Sequence, residues 1–413
     1  FTWGFSFNSL FRLNLPGSGE LLREPVFGRQ YDVALDSNGA FWIAASEGLV
    51  RYAPLLWHAP KHLENLHTPV HAAVFEPEQP DLVWFSVPEG LLRSSPAGTR
   101  LFRWPEELEM AGGPRGRLFR LADGRIAVGT PGRPVIFSPA AETFASLETP
   151  GGTPVDFVGE MPGGRIAASF EAEGGRLNLQ SYDGTKFTEI SLPEVNWTFG
   201  EVTFLQEMPD GELWIGGASG ALHVRTNRTA ELYGEANGLP GEPVATVAAV
   251  EDGRIWCGTE SRVCELRGQR WRTILNTSDR VHTIFRAQDS VWVGTAGGVY
   301  RYINESWIYY GANEGLGTPV FTLRKDPSEQ VWAGTGRGAA VFHPHADTDP
   351  PRTLPPALQE TAQPSTLEPT TILFHGQDKW DYTAAADLLF SYKLDETPWT
   401  PFSNISSRVF QNL

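Results

Sequence analysis

Apolar positions come in short runs such as Val244-Ala-Thr-Val-Ala-Ala-Val250, each followed by a turn and a second apolar run around a tryptophan. That second run repeats. It reads Asp36-Ser-Asn-Gly-Ala-Phe-Trp42-Ile-Ala-Ala, then Asp210-Gly-Glu-Leu-Trp214-Ile-Gly-Gly, Asp252-Gly-Arg-Ile-Trp256-Cys-Gly-Thr, Asp289-Ser-Val-Trp292-Val-Gly-Thr and Ser328-Glu-Gln-Val-Trp332-Ala-Gly-Thr, with a weaker copy at Trp84. Two copies carry alanine in place of the tryptophan, at Ala127 and Ala167. With Trp3 included, the markers fall at 3, 42, 84, 127, 167, 214, 256, 292 and 332, with steps between 36 and 47 residues.

A period of that length holds four short strands. Asp-Gly pairs between alternating apolar runs are strong hairpin signals, because both residues tolerate the positive φ that tight turns demand. Four-strand units repeated in tandem are propeller blades. The pattern predicts an all-β protein: a β-propeller of four-stranded blades over residues 1–345, then a Pro-rich connector over 346–369 that sets residues 370–413 apart. Markers 84 through 332 suffice for a seven-bladed ring, which leaves the first two markers to an upstream propeller; eight blades in one ring is the alternative.

Directly opposed residues in a hairpin have a constant index sum, so the register of the marker strand against its successor is readable. It sets Arg12, Arg51, Arg93, Arg176 and Arg301 opposite Trp3, Trp42, Trp84, Ala167 and Trp292. A guanidinium so placed stacks on indole across the strands. The same sum opposes Cys257 to Cys264, either as a cross-strand disulfide or as two half-buried thiols.

Composition narrows the function. The 413 residues include 49 Asp and Glu against 33 Lys and Arg, a formal charge of −16 that argues against nucleic acid or an anionic membrane surface as partner. The longest apolar stretches fall well short of the ~20 residues needed to span a bilayer. A start at Phe1 without Met and an end at Leu413 in mid-pattern suggest a piece of a longer polypeptide, with any membrane anchor in the missing parts. Two cysteines fit either a cytosolic or an exported protein.

The phrase Leu213-Trp214-Ile-Gly followed by Asn237-Gly238-Leu239-Pro240 resembles the two-component regulator propeller repeat. After His343 to Pro369, which holds seven prolines, come Thr371-Ile-Leu-Phe-His-Gly-Gln-Asp-Lys-Trp380-Asp-Tyr382, Leu389-Phe-Ser-Tyr392-Lys-Leu-Asp395-Glu-Thr-Pro-Trp399 and Phe410-Gln-Asn-Leu413. These resemble the immunoglobulin-like triple-tyrosine module that follows such propellers in bacterial sensors, which implies a partial immunoglobulin-like β-sandwich over 370–413. The resemblance implies a periplasmic or extracellular ligand-sensing domain of a histidine kinase or hybrid regulator, dimeric in the full-length protein. It also implies that the sandwich module relays the signal to a membrane helix. The chain itself shows no phosphoacceptor helix, nucleotide loop or helix-turn-helix pattern, so no enzymatic activity is expected of it.

Loops joining the second to the third strand of each blade, and the last strand to the next blade, share one rim. That rim presents Glu47, Arg133, Ser219, Glu260, Arg262 and Arg337, with Asn237 and Asn313 from the interblade loops, a mixture suited to a polar ligand such as an oligosaccharide. No cofactor is expected. His58, His62, His67 and His71 crowd into one interval, which reads as a polar interblade loop more readily than as a metal site. A protein-interaction scaffold and a secreted polysaccharide lyase or glycoside hydrolase are the alternative readings; the Asp-turn phrases resemble sialidase Asp boxes but lack the serine two places before the Asp, as Ala34 and Met208 show.

Overall fold

The computed structural model describes residues 2–6, 9–13, 24–25, 29–35, 41–52, 55–106, 117–130, 132–173, 176–250, 253–344, 351–354, 370–378, 383 and 385–410. Two compact units emerge: Trp57–Phe342, and Phe1–Leu56 together with His343–Leu413.

Trp57–Phe342 is a ring of seven four-stranded antiparallel blades. Blades 1 to 6 begin at inner strands Ala72–Glu76, Arg117–Arg120, Val155–Met161, Val202–Glu207, Thr246–Ala249 and Val281–Ala287. Each proceeds outward in chain order. Blade 7 takes its inner three strands from Val320–Lys325, Val331–Thr335 and Gly338–Phe342, and its outer strand from Trp57–His58, at the opposite end of the ring's sequence. The ring is thus closed by a strand exchange between its two ends, and the marker repeats 84 through 332 are its seven blades.

The recurring tryptophan has a physical reason. It sits on the second strand and inserts between its own blade and the next. Trp84 packs on Phe137, Trp256 on Tyr302 and Trp307, Trp292 on Phe342, and Trp332 back on Phe75 and Phe85 of blade 1. Trp214 meets Trp271 of blade 5 edge to face, with ring centroids 6.0 Å apart. Flat faces of neighbouring sheets need a large plug, and aromatic rings fill that gap with favourable edge-to-face geometry. Blades 2 and 3, with Ala127 and Ala167 at this position, draw on Phe170, Tyr182 and Phe187 between them.

Hairpin chemistry follows the Asp-Gly signal. Gly124 and Gly211 adopt φ of 92° and 85°, while the preceding Asp123 and Asp210 accept hydrogen bonds from the backbone N–H of Arg125 and Glu212. Registers of the marker hairpins are as predicted for Trp3 and Arg12, Trp42 and Arg51, Trp84 and Arg93, Trp292 and Arg301, and Cys257 and Cys264. Arg301 lies 5.2 Å from the Trp292 ring and Arg93 6.0 Å from that of Trp84. Blade 3 is the exception. Its hairpin is longer and its register shifts between Phe170 and Glu173, so Ala167 faces Ser181, and Arg176 pairs with Glu173.

The two cysteines face each other as free, buried thiols, so the disulfide alternative is not realised. Cys257 packs in the core between blades 4 and 5, and Cys264 Sγ lies 3.7 Å from Thr273 Oγ1.

The other unit contains three-stranded sheets at Thr2–Pro25 and Gln30–Tyr52. It also has paired strands Arg352–Leu354 with His375–Gln377 and Thr370–Leu373 with Ser407–Phe410. Phe374 stacks on Tyr392 at 5.5 Å. Trp380, Tyr382, residues 411–413 and connector residues 355–369 lie outside the described residues. Among the described residues, no helix is long and apolar enough to cross a membrane.

Candidate functional site

Radial packing of seven sheets leaves their inner strands around an axis, and the space between them is a cavity of about 2280 Å³ lined by all seven blades. Alternation along each inner strand divides its side chains. Ala73, Leu118, Val158, Leu205, Val247, Ile284 and Leu323 are buried. Other side chains of these strands, and irregularities in the strands of blades 3, 4, 6 and 7, give the cavity its wall, which includes Arg117, Phe157, Glu160, Thr203, His282, Phe285, Phe321 and Arg324.

Arg117 comes from the inner strand of blade 2. Its guanidinium lies 5.3 Å from the ring of Phe157 on blade 3 and 5.7 Å from that of Phe204 on blade 4, and it donates to the carbonyl oxygen of Ala245 before blade 5 at 3.3 Å. One side chain therefore touches three other blades. Burial, then the nearby Arg324 and Arg280, push its pKa down to about 10 against the pull of Glu160. It remains a cation at neutral pH.

Arg324 on blade 7 reaches Glu160 of blade 3 at 3.8 Å, and Arg280 reaches Glu260 at 3.4 Å. Burial, followed by the charges of Arg280 and Arg117, depresses the pKa of His282, while Asp279 opposes them. His71, of the histidine-rich interval, packs against Phe321 in a tilted arrangement with centroids 4.5 Å apart. Among the described residues no group of three His, Cys, Asp or Glu side chains is placed to hold a metal ion. Asp156 is raised by burial and by Glu171 and Glu201.

Of the sequence-predicted rim residues, the cavity wall includes Arg133 alone. Arg133 lines the cavity and forms no ion pair among the described residues. Glu260 bears on it through Arg280. Arg262 is instead tied to Glu242 at 3.6 Å. That carboxylate also accepts from the hydroxyl of Thr259 at 2.7 Å and the N–H of Ser261 at 3.1 Å. Burial works to raise the pKa of Glu242, but those hydrogen bonds and Arg262 outweigh it and hold it low. The cluster braces the interblade loop. Asn237 has the same kind of role, its Oδ1 accepting from Gly234 N–H at 3.2 Å. Ser219 and Arg337 lie in second-to-third strand loops away from the cavity wall, and Asn313 lies in the short turn Ala312–Glu314. Glu47 is on a hairpin turn of the other unit, outside the ring. The reading of loops alone missed Arg117, His282 and Arg324; for Arg117 and Arg324 the signal was present as a polar residue beside a buried leucine on an inner strand, while at His282 the irregularity between Val281 and Thr283 hides it.

No protein-family profile matches the chain, and no curated protein matches it. Solved structures do. The extracellular domain assigned to the hybrid two-component system BT3049 of B. thetaiotaomicron is similar at a TM-score of 0.67 and 14% identity, across 100% of this chain and 62% of that one. The extracellular domain assigned to the one-component system BT4673 of the same organism gives 0.55 at 15% identity, across 98% and 62%. Streptogramin B lyase gives 0.52 at 13% identity, across 70% of this chain and 97% of the lyase. The chain thus spans 62% of each of the two extracellular domains, and at identities this low the likeness shows a shared fold alone.

Proposed function

We propose that the chain is part of the extracytoplasmic, ligand-sensing region of a bacterial two-component regulator, with a polar ligand such as a saccharide held in the ring's cavity and at its rim. The observation that carries this reading is the cavity: about 2280 Å³, bounded by seven blades and walled by charged, hydroxyl and aromatic side chains. Such a wall suits a polar ligand, with carbonyl, hydroxyl and charged groups for its substituents and rings for its apolar faces. Fold similarity to two extracellular sensor domains supports the placement outside the cytoplasm. In this reading the C-terminal segment from about 370 is an immunoglobulin-like relay module, and the full-length protein is a membrane-anchored homodimer. Any kinase or other output is carried elsewhere in that protein.

A thermal-shift screen of mono- and oligosaccharides tests this, since a ligand bound only by the native state must raise the melting temperature. A saccharide that raises it, without being consumed, is the expected result. No shift across the panel, together with stoichiometric capture of a protein partner through the rim, would favour the scaffold reading. A lyase or hydrolase reading is favoured by one observation, the imidazole of His282, which its surroundings keep neutral and able to accept a proton inside the cavity. Turnover of any panel member would decide for it.

A further inference from the structure

The cavity has the opposite charge balance to its protein. In a chain of formal charge −16, its wall carries eight Arg and Lys side chains against four Asp and Glu. Towards the hairpins joining first and second strands these are matched: Arg120 with Glu76 at 2.8 Å, Arg165 with Glu207 at 3.2 Å, and Lys325 with Glu329 at 2.5 Å. Around Arg117 the matching is looser. Its partners among the described residues are two phenyl rings and one carbonyl oxygen, with no carboxylate paired to it. Arg324 has Glu160 at the long distance of 3.8 Å, and Arg280 is drawn outward to Glu260.

A cation partly withdrawn from water without a close counter-ion is costly, and like charges close by add to the cost. Phe157 and Phe204 recover part of it through their ring quadrupoles. The remainder is relieved by an anion. We propose that Arg117, Arg280 and Arg324 form a recognition site for an oxyanion carried by the ligand: a carboxylate, sulfate or phosphate group on a sugar. A guanidinium held against two rings and one carbonyl oxygen keeps further N–H groups for a partner, and its planar fork favours two-point binding of an oxyanion. Arg133, at the loop side of the wall, adds to the field that draws an anion inward. Phe321 on its His71 support offers an apolar face for the sugar ring. This inference rests on the reading of the cavity as the ligand site and adds the charge of what it takes.

The test compares neutral and anionic members of matched series by isothermal titration calorimetry and thermal shift on the whole chain. The probes are glucose against glucuronate, glucose 6-sulfate and glucose 6-phosphate, and galactotriose against trigalacturonate. The site predicts that at least one anionic member binds about tenfold or more tightly than its neutral partner. Its advantage should shrink from about 50 to about 500 mM sodium chloride. Which oxyanion ranks first identifies the group recognised. Arg117→Met, which keeps an apolar stem between the two rings, should abolish the advantage; Arg324→Gln should reduce it. Arg117→Lys should retain part of it, and serves with Arg324→Gln should the methionine variant fail to fold. Equal binding of neutral and anionic members, or an advantage unchanged in these variants, overturns the anion site while ligand sensing stands. If no member of either series binds, the reading of the cavity as a ligand site falls with it.

Discussion

Trp57 lies opposite Phe342 in the outer pair of strands of blade 7, with ring centroids 5.3 Å apart, so the first and last residues of the ring are partners in one sheet. Trp57 is fully buried, and its indole also meets Trp292 and Tyr310 of blade 6. A closing strand of only two residues has few hydrogen bonds, so this side chain supplies much of the closure. Trp57→Ala should cost about 3–5 kcal/mol, the range for removing a buried aromatic, measured as a lower urea midpoint. A midpoint unchanged from the wild type would mean the ring is held shut elsewhere.

The inner strands of blades 3 and 4 touch directly through a parallel bridge between Glu160 and Gln206. Gly159 makes this contact sterically feasible: a Cβ there would sit 1.8 Å from the carbonyl oxygen of Leu205, an atom of backbone that cannot swing aside. Gly159→Ala should therefore part the two strands and destabilise the ring by about 1–3 kcal/mol, as overpacking does. Gly163, where the added atom meets nothing within 4 Å, is the spatial control, though its φ of 74° adds a backbone strain of its own. Denaturant titration of Gly159→Ala giving wild-type stability would contradict the close approach.

The ring and its hairpins were legible because their signals are local. Marker spacing set the blades, and Asp-Gly turns with a constant index sum set the registers of Trp84 with Arg93 and Cys257 with Cys264. Arg176 escaped because this hairpin turns later than the others: its strands run on to Glu173 and Arg176, which leaves Ala167 opposite Ser181, and the irregularity between Phe170 and Glu173 adds one further residue of offset. The closing strand Trp57–His58 was illegible for another reason: its partner is at the far end of the ring's sequence, and two residues carry no pattern. Arg117 illustrates the limit for the site. Alternation shows that it flanks the buried Leu118, but only closure of seven blades turns that face towards an axis and sets it against Phe157 and Phe204. Loop position was a poor guide to the cavity wall, since Arg262 and Asn237 serve the loops themselves.

Cys257 and Cys264 are both fully buried. Burial holds both thiols above their ordinary pKa, Cys257 well above it with the neighbouring Cys264 adding to the effect, while the Thr273 hydroxyl and Arg262 partly oppose it at Cys264. The thiolate is the reactive form, so both should be slow towards Ellman's reagent in the native protein. Two thiols per chain should titrate after unfolding without reductant. Rapid native labelling, or fewer than two thiols after unfolding, would contradict the arrangement.

His282 makes stability depend on pH in a definite direction. Its imidazole is half-buried, and burial together with Arg280 and Arg117 lowers its pKa from 6.5, with Asp279 opposing. Between the folded value and about 6.5 the unfolded chain binds more protons, so stability rises with pH across that window. The contribution is fully present above about 6.5 and is lost as pH falls through that value towards the folded pKa. His62, lowered by burial against Asp81, adds a separate contribution of the same sign, so the effect of His282 has to be read as a difference. Urea midpoints of wild type and His282→Gln at about pH 7.5, 6 and 5 should show the wild type losing stability relative to the variant towards the acid end, with the shallower slope in the variant; parallel profiles would remove His282 from the account. An oxyanion beside Arg117 offsets the positive field on His282 and raises its pKa. Binding of an acidic sugar near pH 6 should therefore take up protons, seen as a calorimetric enthalpy that changes with the ionisation enthalpy of the buffer. The uptake should be absent in His282→Gln.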